Sequence, residues 1–406
     1  MSASAQTLQG SFSGTGSPPP HVPLWLLALF TFSGTLAMHI FVPALAMAGR
    51  DLHAGNGAMQ MTVSLYIIGL AVGQLIYGPL SDRYGRRRVL MVGLAIYTVA
   101  GLAAALAPQV HALIAARLFQ ALGGCAGLVL GRAMVRDTAA PSEAAKRLAL
   151  MNLMVTIAPG LAPIVGGALA ASLGWRAVLF ALCVLGVVNF VFAWRLLPET
   201  GLTAARISVA TLARHYRQLL ASRVFLGYAV GGGCATTSMF AFVASAPFIF
   251  VDQLHRPADE VGLYLAVLVS GVWLGSVITT RLIGKLPLDR LLIGGNTLSA
   301  LSAFLLLGWV LTGHVAVAPL VVLMFFYTLG AGVAGPTALS LAVGVNPQVI
   351  GSASGLYGAL QMAVGALCTA LAGLGPSPAL STALVLAGAG LVGQLSFRTA
   401  LRGGRA

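Results

Sequence analysis

The sequence predicts an all-α membrane protein in which twelve transmembrane helices form two pseudo-symmetric six-helix halves. Hydrophobic residues fill 58% of its 406 positions and charged residues only 8%. A soluble domain carries about 25% charged residues. Apolar runs long enough to cross a bilayer, roughly 20 residues each, recur along the whole chain. The basic residues stand almost entirely in the gaps between those runs, which is the pattern that sets topology in a membrane. The mean hydropathy of +0.93 and the 50 glycines agree, since glycine is more frequent in membrane helices than in soluble ones.

Residues 1–23 read as a disordered tail: Met1 to Pro20 is rich in Ser, Gly, Pro and Thr, is uncharged and lacks the basic start of a signal peptide. Six spans are expected over 24–48, 59–80, 89–108, 112–134, 148–171 and 175–197, making an N-terminal bundle 24–197. The longest polar interruption, 198–223, carries Arg206, Arg214 and Arg217 and reads as a partly amphipathic linker. Six more spans follow over 224–250, 261–282, 291–312, 316–343, 350–373 and 378–397, a C-terminal bundle 224–397, with a short tail 398–406.

With the N-terminus placed in the cytoplasm, Arg50, Arg176 and Arg256 fall in outer loops, Arg117 falls inside a span, and every other Lys and Arg falls on the cytoplasmic side. The positive-inside rule therefore puts both termini in the cytoplasm. The net charge of +14 does not mark a nucleic-acid binder, which gathers its cations on one polar face. Cys125, Cys183, Cys234 and Cys368 lie in separate apolar runs without metal-site spacing, so they read as small packing residues. No metal or cofactor is expected.

An internal repeat supports the two halves. Gly73–Gly93 overlays Gly275–Gly295 without a gap at an offset of 202 residues, matching Gly73/Gly275, Ile76/Ile278, Leu80/Leu282, Arg88/Arg290, Leu90/Leu292 and Gly93/Gly295. Both segments join the second to the third helix of their half. Parallel repeats of this kind occur in transporters that bind substrate near the midplane between halves.

The strongest local signal is Gly78 to Arg88, GPLSDRYGRRR. Five charges between two apolar spans predict a tight connection, with Gly78 and Gly85 allowing close backbone approach. A positive-inside anchor explains Arg86, Arg87 and Arg88 but not Asp82 or the glycines. Here the chain resembles the major facilitator superfamily, whose loop signature is GxLxDRxGRR, and most closely its drug:proton antiporters of the bicyclomycin/chloramphenicol resistance (Bcr/CflA) group. The resemblance runs through Val42–Ala46, Gln60–Leu90, Arg117–Gly124, Val135–Asp137, Ala158–Gly167, Gly174–Arg176 and Leu197–Thr200.

The resemblance implies roles. The Gly78–Arg88 segment would be a gating loop: Asp82, beside Arg83, would dock near Gln348–Ser352 at the start of helix eleven when the protein is open outward, Arg86 would pair with Asp137, and both contacts would close the cytoplasmic side. Pro159, Gly160, Pro163, Gly166 and Gly167 match the helix-five signature of exporters, which importers generally lack, although pure packing also accounts for them. Arg117, with Gln120 and Gly123, matches the family's helix-four RxxQxxG and its link to proton coupling; the alternative is an arginine that caps carbonyls or snorkels outward. His39 stands where the family usually has a membrane carboxylate.

None of the nine acids lies within an apolar span, so no carboxylate proton carrier is available. Imidazole titrates near neutrality, which makes His39 the candidate carrier, with Arg117 the expected partner; a hydrogen-bonded helix residue is the plainer reading. A cavity without negative charge suits neutral or weakly anionic amphipathic compounds. Phe41, Tyr66, Tyr228 and Phe240 are candidate cavity aromatics, though aromatics at such spacing also face lipid or neighbouring helices. The expected function is proton-coupled efflux of small drugs or metabolites by a monomer in the bacterial inner membrane, driven by the proton gradient. The alternative is import of a small metabolite on the same fold. No nucleophile–base or acid pair suggests an enzyme.

Overall fold

The computed structural model describes residues 22–139, 141–200, 209–346, 349–375 and 377–403. The expectations placed on tail residues 1–21, on Arg206 and on Gln348 lie outside them. The described residues form helices, with no β pairing beyond one isolated bridge between Ile283 and Leu286.

Pro43 breaks the first span in two: α1 (Leu24–Ile40) gives way to a tight turn over Val42–Ala44 and then to α2 (Leu45–Asp51). A proline has no N–H and its ring collides with the carbonyl four residues back. That carbonyl is His39's, and beside the break the Phe41 N–H points to it and not to the carbonyl of Ala37. Next come α3 (Asn56–Tyr84), α4 (Arg86–Ala105), α5 (Val110–Asp137), α6 (Pro141–Leu173) and α7 (Trp175–Leu196). The linker forms α8 (Val209–Ala221), which buries Leu219 and exposes Arg214 and Arg217.

In the second half, α9 (Arg223–Thr236), α10 (Met239–Pro247) and a wide turn over Phe248–Gln253 make one interrupted span. They are followed by α11 (Ala258–Leu282), α12 (Leu288–Leu311), α13 (Val317–Gly344), α14 (Ile350–Ala372) and α15 (Pro378–Gly403). Among the described residues, eleven spans are long and apolar enough to cross a membrane. The helix α6, with its apolar stretch Pro159–Leu173, is the twelfth. Large apolar side chains such as Val92, Val99 and Leu395 stand at least 60% exposed. Exposure of large apolar side chains on so many of the helices requires an apolar surrounding, which makes this a multi-pass membrane protein.

The connection at Gly78–Arg88 is tighter than its composition suggests. The helix α3 continues to Tyr84, carrying Asp82 and Arg83 in its last turn, and Gly85 alone separates it from α4. Gly85 turns the chain at φ +94°, a region that penalises a Cβ, and the Glu199 carboxylate fills the space a side chain would need. Gly78 meets no neighbour, so the close approach expected of it does not occur.

Within the first half α5 packs against α1, α3 and α4; within the second, α13 packs against α9, α11 and α12. The repeat has a physical basis in those crossings. Gly73 and Gly93 lie against Cys125 and Ala126 of α5, while Gly275 and Gly295 lie against Leu329, Gly330 and Ala334 of α13. A methyl group at any of the four would overlap its neighbour, so each pair of aligned glycines lets a helix reach the fourth helix of its own half. The halves meet along α3–α14 and α6–α11.

Candidate functional site

The two ends of the seam between the halves differ. At the end opposite the basic loops, Arg50 Nη2 of α2 pairs with Asp252 Oδ1 in the turn after α10 at 2.6 Å. Deeper, Gln60 Nε2 donates to Ser245 Oγ at 3.0 Å, both groups being buried. The backbone of Gly57 comes so close to the Gly373 carbonyl that a Cβ would stand 2.7 Å from its oxygen. At the basic end a cavity of about 240 Å³ opens between α3, α5, α8 and α14. Its polar lining is Gln74, Asp82, Arg86, Arg132, Arg136, Tyr216, Ser352 and Ser354. Side-chain and backbone contacts thus join the halves at one end, beneath a surface depression of about 470 Å³ around Arg50, His53 and Asp252, while the cavity between α3, α5, α8 and α14 lies at the other.

Around the hollow end, one ion network fixes the loop. Arg86 Nε donates to Asp137 Oδ2 at 2.9 Å, and Arg86 Nη1 meets Asp82 Oδ1 at 2.6 Å and also the Ser81 hydroxyl. Asp82 thus faces Arg86 while sharing the cavity wall with Gly351 and Ser352 of α14's first turn. Arg87 reaches back to the last turn of α7, donating from Nη2 to the Trp194 carbonyl at 2.6 Å. In exchange, Glu199 accepts from the Arg87 backbone N–H at 3.3 Å at the start of α4, where a carboxylate complements the unsatisfied donors. This gives the Leu197–Thr200 segment its use. Arg83 lies over the Tyr84 ring.

The helix-five signature lies at the seam. Pro159 and Pro163 of α6 enclose His39 of α1 together with Met239 and Val243 of α10 and Leu265, Leu268 and Val269 of α11. The Pro163 carbonyl faces Gly262 of α11 and Gly166 admits the Ile40 carbonyl of α1, each with no room for a Cβ; Gly160 comes within contact of Val269 and Gly167 is buried. His39 Nδ1 is 2.9 Å from the Thr35 carbonyl, so that nitrogen carries the proton of the neutral ring and Nε2 is left as the acceptor. Phe240 meets the imidazole edge-on at 6.1 Å.

Arg117 belongs to a different cluster, inside the first half. It is fully buried, donating from Nη2 to the Ala37 carbonyl at 2.8 Å and from Nη1 to Gln120 Oε1 at 2.7 Å. The Tyr66 and Phe41 rings cover its guanidinium at 4.2 and 5.4 Å. Arg117 thus takes the Ala37 carbonyl, which the Phe41 N–H leaves free at the end of α1. An arginine at this depth costs roughly 2.5–3.5 kcal/mol. Two hydrogen bonds from a charged group, about 1.5–3 kcal/mol each, and two ring faces work against that cost. The expected His39–Arg117 partnership is thus replaced: Arg117 is held by a carbonyl, an amide and two rings, with its Nε left without a partner, and His39 faces the other half.

Of the aromatic candidates, Phe240 adjoins His39, whereas Phe41 and Tyr66 are packing for Arg117 and Tyr228 is buried beside α15 and α14. The lining of the cavity at the basic end instead includes Gln74, Arg132 and Tyr216, which charge and hydropathy patterns did not single out. Arg132 sits one helical turn before Arg136, and that i, i+4 spacing was the available signal. All nine acids lie at helix ends or in connections.

A family model described as "Major Facilitator Superfamily" matches residues 27–369. The chain belongs to the major facilitator superfamily. Among similar relatives, "Multidrug resistance protein D" of Escherichia coli K12 is 32% identical over 346 residues, covering 83% of this chain and 85% of its own. "Multidrug transporter MdfA" of Yersinia pestis is 28% identical over 352 residues, covering 83% of each chain. A "Bicyclomycin resistance protein homolog" of Haemophilus influenzae is 24% identical over 349 residues, with 85% and 87% covered. Those names are consistent with the drug:proton antiporter, Bcr/CflA, group that the loop and helix-five motifs resemble. A solved D-xylose–proton symporter shares the fold at TM-score 0.73 and 16% identity, with 93% of this chain and 96% of that one covered. The chain is accordingly a membrane transporter of small molecules and not an enzyme.

Proposed function

We propose that the protein exports small amphipathic organic compounds, neutral or weakly anionic, across the bacterial inner membrane in exchange for protons. The basic end, with both termini, is cytoplasmic. Alternating access moves a monomer between the arrangement described here, hollow toward the cytoplasm, and one open outward. The proton gradient supplies the energy, and no cofactor takes part.

The observation that carries this reading is the meeting of His39 with Pro159 and Pro163 at the seam. It places a titratable group where the halves must part, next to the signature that separates exporters from importers in the family. Relatives whose names denote multidrug transport favour the same direction. All nine acids lie at the membrane margins, which leaves His39 as the proton-carrying candidate within the spans and disfavours cationic substrates. Expression in a pump-deficient bacterial host, followed by a susceptibility panel of neutral, anionic and cationic compounds, tests it. Resistance to neutral and anionic members is expected, abolished by collapsing the proton gradient. Resistance confined to cations would contradict the substrate class, and accumulation in place of exclusion would reverse the direction.

A further inference from the structure

The cavity at the basic end has an electrostatic character that the transport reading leaves open. Arg86, Arg132 and Arg136 line it against one carboxylate, Asp82. Arg86 already binds Asp82 and Asp137. Among the described residues, neither Arg132 nor Arg136 enters any ion pair. Both side chains are exposed, although the space they line is enclosed on four sides by helices. Two like charges one turn apart on a helix repel one another, and low-dielectric walls strengthen that repulsion.

Other groups add to the same sign. Gly351 and Ser352 belong to the first turn of α14, whose backbone N–H groups carry a partial positive charge. The Ser352 and Ser354 hydroxyls and Tyr216 supply neutral polar groups at the wall. His215 Nδ1 lies 3.3 Å from Ser352 Oγ. Gln74 Nε2 is buried without a partner. A helix-walled site with two unpaired guanidinium groups and a surplus of donors fits an anion.

We infer that this cavity is the entry site for organic carboxylates, with Arg132 and Arg136 gripping the carboxylate and Tyr216, Leu212 and Val129 covering the apolar body. The inference rests on the export reading and narrows it from neutral or weakly anionic compounds to small organic acids. A volume of about 240 Å³ lies just under the usual range for ligand pockets, so the acid is no larger than a single substituted ring.

The full chain purified in detergent, titrated calorimetrically with benzoate and with its neutral isostere benzamide, provides the test. Benzoate is expected to bind more tightly than benzamide. Arg132→Gln is expected to weaken benzoate about tenfold or more, the value of one hydrogen bond from a charged group, and to leave benzamide unchanged; Arg132→Lys restores most of the loss. If Arg132→Gln does not elute as a folded protein, Arg136→Gln carries the same expectation. No benzoate binding, equal binding of the two ligands, or benzoate binding indifferent to these substitutions would overturn the inference. Benzoate binding without export in vesicles would sink the transport reading alone.

Discussion

His39 is the residue on which the coupling proposal turns, and its surroundings define what its removal should do. It spends Nδ1 on the Thr35 carbonyl and faces apolar side chains of both halves. His39→Ala is expected to abolish export driven by a pH gradient while leaving downhill exchange of substrate measurable in everted vesicles. His39→Asp should restore coupling and admit cationic substrates; full pH-driven export by the alanine variant would remove His39 from the mechanism. Arg117 gives a second residue-scale prediction. A lysine keeps the charge but offers a single ammonium where two guanidinium nitrogens now reach the Ala37 carbonyl and Gln120, so the two are not interchangeable. Arg117→Lys should cost about 1.5–3 kcal/mol, the loss of one such bond, read as a lower melting temperature in detergent. The sequence made both residues visible, since a charge or an imidazole within an apolar run is anomalous on composition alone. It did not pair them correctly, because the partner of Arg117 is a backbone carbonyl and carries no residue-type signature.

At the scale of the element, the decisive object is the break in the first span. Pro43 is legible in the sequence, and so is the span it interrupts, but the destination of the freed Ala37 carbonyl depends on which face of α5 turns toward α1. That face is set by glycine and alanine contacts that hydropathy does not resolve. Pro43→Ala should let helix run on from α1 into α2, since proline is the poorest helix former by about 3 kcal/mol. The Phe41 N–H would then compete with Arg117 for Ala37. The expected outcome is unchanged or raised thermal stability together with a several-fold fall in transport rate. A variant that transports normally would show that the broken helix is only a packing solution. The Gly78–Arg88 connection teaches the converse. Its charges predicted a loop, yet α3 runs to Tyr84, because Asp82 and Arg86 neutralise each other across the turn and Gly85 alone supplies the reversal.

For the whole molecule, the repeat reaches further than the loop that revealed it. Arg50 and Asp252, which join the halves at the end opposite the basic loops, are separated by 202 residues, the same offset that aligns Gly73 with Gly275. Three positions later His53 and His255 both adopt positive φ, +49° and +51°, as residues that terminate a helix often do. The ion pair therefore links equivalent points of the two halves and lies on the pseudo-symmetry axis. Sequence reading placed Arg50 in an outer loop and had no means of giving it a partner so distant in the chain. With side chains 66% and 33% exposed, the pair is worth about 0–1 kcal/mol, too little to hold the fold. In an equilibrium between two nearly balanced conformations, however, 1 kcal/mol changes the population ratio about fivefold. Arg50→Ala and Asp252→Ala should each raise outward opening by up to about that factor. A cysteine placed at Ser245, beneath the pair, would report it through its rate of alkylation by a membrane-impermeant maleimide. The exchange variant Arg50→Asp with Asp252→Arg should return the rate to that of the parent. Equal alkylation in all four proteins would show that Gln60, Ser245 and the Gly57–Gly373 approach close that end without the ion pair.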